Sequence, residues 1–175
     1  MGNKIFLIGF MGSGKTTVGN FLSQKLKYKF VDTDEMIEKN EKKSIAEIFK
    51  SEGESYFRDL ELSVIDSINE MEDDVVISTG GGLPCFNDLI QEINDLGLTI
   101  YLECSERVIY NRIKDNLNKR PLIEKATVKD SLDFIRKKLN AREGIYKEAK
   151  IIVNGENLAK KVVDDILEKL KLQVE

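Results

Sequence analysis

The chain contains no histidine among its 175 residues. This excludes Ser-His-Asp and Cys-His triads and every histidine metal site. A general base must therefore be a carboxylate, a lysine, a tyrosine or a cysteine. The only cysteines, Cys85 and Cys104, match no metal-ligand spacing and are expected as reduced thiols. No apolar run reaches membrane-spanning length, and no secretory signal precedes the first apolar segment. Met1-Gly2 resembles a myristoylation start, but Phe6 stands where that motif needs Ser or Thr. A cytoplasmic protein without a membrane partner is expected. Charge of one sign is also lacking: 27 basic against 31 acidic residues leave a net charge of -4. That argues against a general nucleic-acid binder. There are only two prolines, no Pro/Ser-rich linker, no repeat and no low-complexity tract. With 41% hydrophobic and 33% charged residues, the chain is expected to fold as one domain over 1–175 and to act as a monomer.

What is present is concentrated at the start. Lys4-Ile5-Phe6-Leu7-Ile8 is an apolar run suited to a parallel strand buried on both faces. It leads into Gly9-Phe10-Met11-Gly12-Ser13-Gly14-Lys15-Thr16, the Gly-x-x-x-x-Gly-Lys-[Ser/Thr] phosphate-binding loop. Val18, Phe21, Leu22 and Leu26 then recur at helical spacing. Strand, glycine loop and helix occur in the order a phosphate site requires. Backbone N–H groups at the helix start form an anion nest, Lys15 adds a mobile charge, and Thr16 offers a hydroxyl to a magnesium ion.

Apolar runs alternate with helical patterns along the rest of the chain. Strands are expected around 29–32, 74–78, 98–102 and 150–153. Helices are expected over 34–40, from the capping box Ser44-Ile45-Ala46-Glu47, along Phe57, Leu60, Val64 and Ile68, and over about 87–95 and 105–114. Two more follow Val128, Leu132, Ile135 and Leu139, and Leu158, Val162, Ile166 and Leu170. Between them, 115–125 reads as a mobile loop. The alternation implies an α/β fold in three layers, with a parallel sheet between helices and the ligand site at the carboxyl ends of the strands.

Five constellations carry chemistry. Asp32-Thr33-Asp34 follows the second strand; its carboxylates can face the phosphate loop, or Asp34 can simply cap the next helix. Arg58 and Glu61 are i,i+3 neighbours, either a surface ion pair or an arginine held ready for an anionic substrate. Gly80-Gly81-Gly82 permits close backbone approach and exposes N–H donors, or is a flexible turn. Arg120, before Pro121, can reach from the loop to a transferring phosphoryl group or belong to a solvated basic loop. With it goes Arg112, on the helix before that loop, which can stack on a flat base or lie on the surface. Arg142 can grip a substrate anion or complement its helix dipole.

Taken together, these residues resemble the shikimate kinase family over nearly the whole chain to Tyr146. The resemblance rests on Gly9–Thr16, Asp32–Asp34, Ser44 through Glu61, Gly80–Gly82, Arg120-Pro121-Leu122, and Arg142 with Tyr146. It implies a P-loop kinase fold with a five-stranded parallel sheet, substrate-binding helices over about 34–61 and a lid over about 115–125. It implies transfer of the terminal phosphoryl group of ATP to the 3-hydroxyl of shikimate, in aromatic amino-acid biosynthesis. Gly12, Ser13, Gly14, Lys15, Thr16, Thr17, Arg112 and Arg120 would bind ATP. Thr16 and Asp32 would hold Mg2+. Asp34, Arg58, Gly80, Gly81, Gly82 and Arg142 would bind shikimate, and Asp34, Lys15 and Arg120 would serve catalysis. One departure is the stretch Asn154-Gly155-Glu156-Asn157, where family members often carry a proline beside the adenine. The alternatives are a related small-metabolite kinase, such as a gluconate kinase, and a non-catalytic nucleotide- or shikimate-binding module.

Overall fold

A computed structural model describes residues 2–114 and 128–172. Its five strands are β1 (Lys4–Ile8), β2 (Lys29–Asp32), β3 (Val75–Ser78), β4 (Leu98–Glu103) and β5 (Ile151–Asn154). They form one parallel sheet in the order β2-β3-β1-β4-β5. The eight helices among the described residues are α1 (Lys15–Leu26), α2 (Thr33–Glu41), α3 (Ile45–Ser51), α4 (Gly53–Asn69), α5 (Leu89–Leu96), α6 (Glu106–Ile113), α7 (Val128–Tyr146) and α8 (Ala159–Leu172). The sequence-expected lid over about 115–125, with Arg120, lies outside the described residues.

Alternation along β1 divides the core. Phe6 and Ile8 face a cluster that includes Ile65 and Ile68 of α4, Ile93 of α5 and Ile135 of α7. Ile5 and Leu7 face the opposite cluster, with Val18 and Leu22 of α1 and Val162 and Ile166 of α8. Both faces of the central strand are therefore covered, which is why it reads as an unbroken apolar run. Each fully buried side chain of this size contributes about 1.5–3 kcal/mol.

The α3 start is the expected capping box: Glu47 N–H donates to Ser44 Oγ, and Ser44 N–H donates to the Glu47 carboxylate. Two apolar positions depart from the helical pattern. Leu158 precedes α8 and is 85% exposed, and Phe21 lies at the open margin of the α1 stripe. Val18 and Leu22 fill the i,i+4 line that meets the sheet, with Leu26 partly buried against the same cluster.

The strand order places β1 between β3 and β4, so the crossover from β1 runs to the β2 side while the one from β4 runs to the opposite edge, at β5. That is the topological switch point, where the loops after the strands separate and open a crevice.

Candidate active site

The phosphate side is made mostly of backbone. After β1 the chain must curl tightly before α1 begins. Gly12 (φ 78°) and Gly14 (φ 99°) hold conformations that only glycine enters without strain. The Lys15 ammonium folds over this loop and donates to the carbonyls of Gly9 (2.9 Å) and Phe10 (3.1 Å). Because only β3 separates β1 from β2, the end of β2 reaches the start of α1. Thr16 Oγ1 donates to Asp32 Oδ2 at 2.9 Å and lies 3.3 Å from Ser78 Oγ.

An open cleft of about 220 Å³ begins here, lined by Gly12, Gly14, Lys15, Thr16, Thr17, Asp32, Asp34, Thr79 and Gly81 among others. Both aspartates face it, as expected, but by another route than simple alternation along a strand. Asp32 ends β2 and is itself the cap of α2, accepting the Asp34 N–H at 3.1 Å. Asp34 lies within the first helical turn, so the expected alternative of Asp34 as the cap is corrected. A single carboxylate, Asp32, caps α2 with one oxygen and holds Thr16 with the other.

Arg58 and Glu61 do not form a surface pair. Arg58 Nη1 donates to Glu61 Oε2 at 2.5 Å, and the two side chains are 12% and 1% exposed. Arg58 Nη2 donates to Glu54 Oε1 at 2.8 Å, one turn earlier. The rings of Phe57 and Phe86 lie 5.6 and 5.4 Å from the guanidinium carbon, so its planar group is held on an apolar floor. Burial opposes the Arg58 charge, but the bonds to Glu54 and Glu61 outweigh it and raise its pKa. Burial pushes the Glu61 carboxyl above the usual carboxylate range, against the pull of Arg58 and with a further push from the Asp34 charge.

The three glycines after β3 are needed for closeness rather than for unusual φ; none of them is among the described positive-φ residues. A Cβ on Gly80 would meet Asp34 Oδ1 at 2.7 Å and Glu61 Oε1 at 3.1 Å. One on Gly82 would meet Arg58 Nη1 at 2.9 Å. The expectation of an exposed N–H is corrected at Gly80, whose N–H donates to Thr33 Oγ1 at 2.9 Å. On the far side, Arg142 Nη1 donates weakly to the Gly81 carbonyl at 3.4 Å, with Phe10 beneath its guanidinium at 5.9 Å. Arg142 thus faces the glycine segment, which the helix-dipole alternative does not explain.

Arg112 is no free surface residue. Nη1 donates to the carbonyls of Ser13 (3.0 Å) and Gly12 (3.4 Å), and Nη2 to those of Gly155 (2.9 Å) and Glu156 (3.1 Å). It ties the phosphate loop to the turn after β5. A second hollow of about 230 Å³ lies there, lined by Ser13, Gly14, Thr17, Arg112, Asn157 and Leu158. The sequence had assigned Leu158 to the α8 stripe, yet it is an exposed apolar wall of this hollow. Every sequence-predicted site residue other than Arg120 thus lies along one connected surface. The residues missed were Thr33, Glu54, Phe86 and the Tyr146 hydroxyl. Tyr146 entered only through the family resemblance, beside Arg142, which lies four residues earlier on the same helical face.

No group of three or more Cys, Asp or Glu among the described residues could hold a metal by itself. Mg2+, however, keeps several waters and takes phosphate oxygens, so one carboxylate and one hydroxyl suffice on the protein side. The adjacent oxygens of Thr16 and Asp32 fit that requirement.

Comparison with known proteins gives the same direction. The shikimate kinase family profile matches residues 11–171. A shikimate kinase of Aquifex aeolicus is 42% identical over 164 residues, spanning 94% of each chain. The crystal structure of a shikimate kinase from Bacteroides thetaiotaomicron superposes with a TM-score of 0.91 at 35% identity, over 97% of this chain and 98% of that one. A shikimate kinase from Acinetobacter baumannii, solved in complex with shikimate, superposes with a TM-score of 0.81 at 28% identity, over 97% and 95% of the two chains. With sheet order, phosphate loop and near-full-length identity in agreement, the chain belongs to the shikimate kinase family.

Proposed function

We propose that this chain transfers the terminal phosphoryl group of ATP to the 3-hydroxyl of shikimate, with the following division of labour. Gly12 to Thr17 cradle the phosphates, Lys15 neutralises developing charge on the transferred group, and Arg112 flanks the adenine. Thr16 and Asp32 hold Mg2+, which when bound would screen the phosphate charge. Asp34 orients the acceptor hydroxyl and takes its proton. Arg58 and Arg142, with the Gly80–Gly82 backbone, hold the shikimate carboxylate. The assignment of Arg120 to the phosphates rests on sequence alone. A single-domain, cytoplasmic monomer with a lid over about 115–125 completes the proposal.

The observation that carries this reading is Gly80. A Cβ there would meet Asp34 and Glu61 together, so the carboxylate that would meet a hydroxyl and the glutamate that holds Arg58 converge on one residue. Asp34 in turn shares its cleft with Lys15 and Thr16. Shikimate, a small anion with several hydroxyls, suits such a site. Phosphoryl transfer needs positioning and charge neutralisation more than strong bases, so a carboxylate serves in a chain without histidine.

A coupled ADP-release assay with shikimate, gluconate and nucleoside monophosphates tests the proposal. Turnover with shikimate alone is expected. Turnover with gluconate alone would replace it by the related kinase, and no turnover at all by the binding module.

A further inference from the structure

Three successive glycines carry no side chain with which to fix their own path, and glycine has the most backbone freedom to lose. Yet the acceptor side depends on that path. Gly80 packs against Asp34, Gly82 lies under Arg58, and the Gly81 carbonyl receives Arg142. Two hydroxyls from opposite walls meet the segment. Thr33, fully buried at the start of α2, accepts the Gly80 N–H at 2.9 Å. Tyr146, fully buried at the end of α7, donates to the Gly81 carbonyl at 2.5 Å.

The geometry points to Thr33 and Tyr146 as positioning residues of the acceptor site, one fixing the N–H of Gly80 and the other the carbonyl of Gly81. This inference rests on the shikimate reading of that site.

The two bonds act on adjacent residues, so together they fix the Thr79–Gly80 and Gly81–Gly82 peptide planes, which flank the Gly80–Gly81 peptide. Thr33 satisfies the buried Gly80 N–H, and Tyr146 shares the Gly81 carbonyl with the longer bond from Arg142. Tyr146 is itself held: its ring lies against Tyr101, with centroids 5.2 Å apart. Burial raises the Tyr146 phenol pKa, so its hydroxyl keeps the proton that it donates. Thr33 is held by its place between Asp32 and Asp34 in the first turn of α2. The motif's middle residue thus joins the acceptor carboxylate to the glycine segment, and Tyr146 joins that segment to Arg142.

The test is steady-state kinetics of Tyr146→Phe, Thr33→Val and Thr33→Ser with shikimate and ATP varied separately, alongside hydrogen exchange of a peptide covering 78–86. Tyr146→Phe keeps the ring against Tyr101 and removes only the donor. The Phe and Val variants are expected to raise the shikimate KM about tenfold, the effect of one buried hydrogen bond. The ATP KM should move less than about twofold. Exchange in 78–86 should quicken in both, and Thr33→Ser, which restores a hydroxyl, should recover most of the loss. An unchanged shikimate KM with only a lowered Tm would overturn the inference. So would an equal rise in both KM values, or a Ser variant as impaired as Val. If the unmodified chain fails to phosphorylate shikimate, the functional reading falls, and the exchange rates still decide the positioning claim.

Discussion

The phosphate side of the cleft comes from one unbroken stretch, Gly9 to Thr17, and works mainly through backbone. The acceptor side comes from Asp34, from Arg58 and Glu61, from Gly80–Gly82 and from Arg142, segments more than a hundred residues apart at their extremes. Glycine is essential on both sides for opposite reasons. Gly14 has room for a side chain, its nearest neighbour to a Cβ being Arg112 Nη1 at 3.7 Å, but a φ of 99° that side chains reject. Gly80 lies outside the described positive-φ residues, but a Cβ there would lie 2.7 Å from Asp34. A loop that binds through its own N–H groups is defined by dihedral angles. A site that binds through side chains is defined by what packs against them.

Five variants bear on this contrast. The largest effect is expected from Asp34→Asn, which should lower kcat by roughly 10²–10⁴-fold, the range for a general base. A near-normal kcat would make Asp34 an orienting group only. Gly80→Ala should lower kcat/KM for shikimate by about 10²-fold, since displacement on the order of 1 Å has that effect on a reacting group. Its counterpart Gly14→Ala should instead raise the ATP KM roughly tenfold, through backbone strain of about 1–2 kcal/mol, and leave the shikimate KM in place. If the two alanine variants impair both substrates alike, the two sides are not separable.

Arg142→Ala should raise the shikimate KM roughly 10- to 100-fold with little change in kcat, as for the loss of a charge-assisted bond made equally in ground and transition states. A stability loss with unchanged KM would return Arg142 to the helix-dipole reading. The smallest effect is expected from Ser44→Ala, which removes the α3 cap. It should cost about 1 kcal/mol, a fall in Tm of about 2–4 °C, and leave both KM values alone. Altered kinetics there would show that α3 shapes the acceptor side more directly than its packing indicates.

The same contrast explains how much could be read from sequence. The five strands, the phosphate loop and the capping box are local patterns, and each stands where its spacing placed it. Asp32–Asp34, Arg58 and Gly80–Gly82 were legible as candidates because they follow strands or carry an i,i+3 partner. What they touch was not legible. The cap of α2 is Asp32 rather than Asp34 because the helix starts at Thr33, two residues before the start that a cap at Asp34 implies. The bonds of Arg142 and Tyr146 to Gly81 span 61 and 65 residues, and those of Arg112 to Gly12 and Ser13 about a hundred. No periodicity encodes such distances. Leu158 failed for a related reason: a helical stripe marks apolar residues but not where the helix begins, and the chain turns just before it.

The grip of Arg112 also sets an order of events. Its guanidinium holds the first loop of the chain with one nitrogen and the turn after the last strand with the other. During synthesis the phosphate loop leaves the ribosome more than a hundred residues before Gly155. The nucleotide site therefore cannot be finished early. A chain ending before β5 carries the whole phosphate motif yet lacks the turn that Arg112 ties to it, so the motif is not by itself the whole of that site.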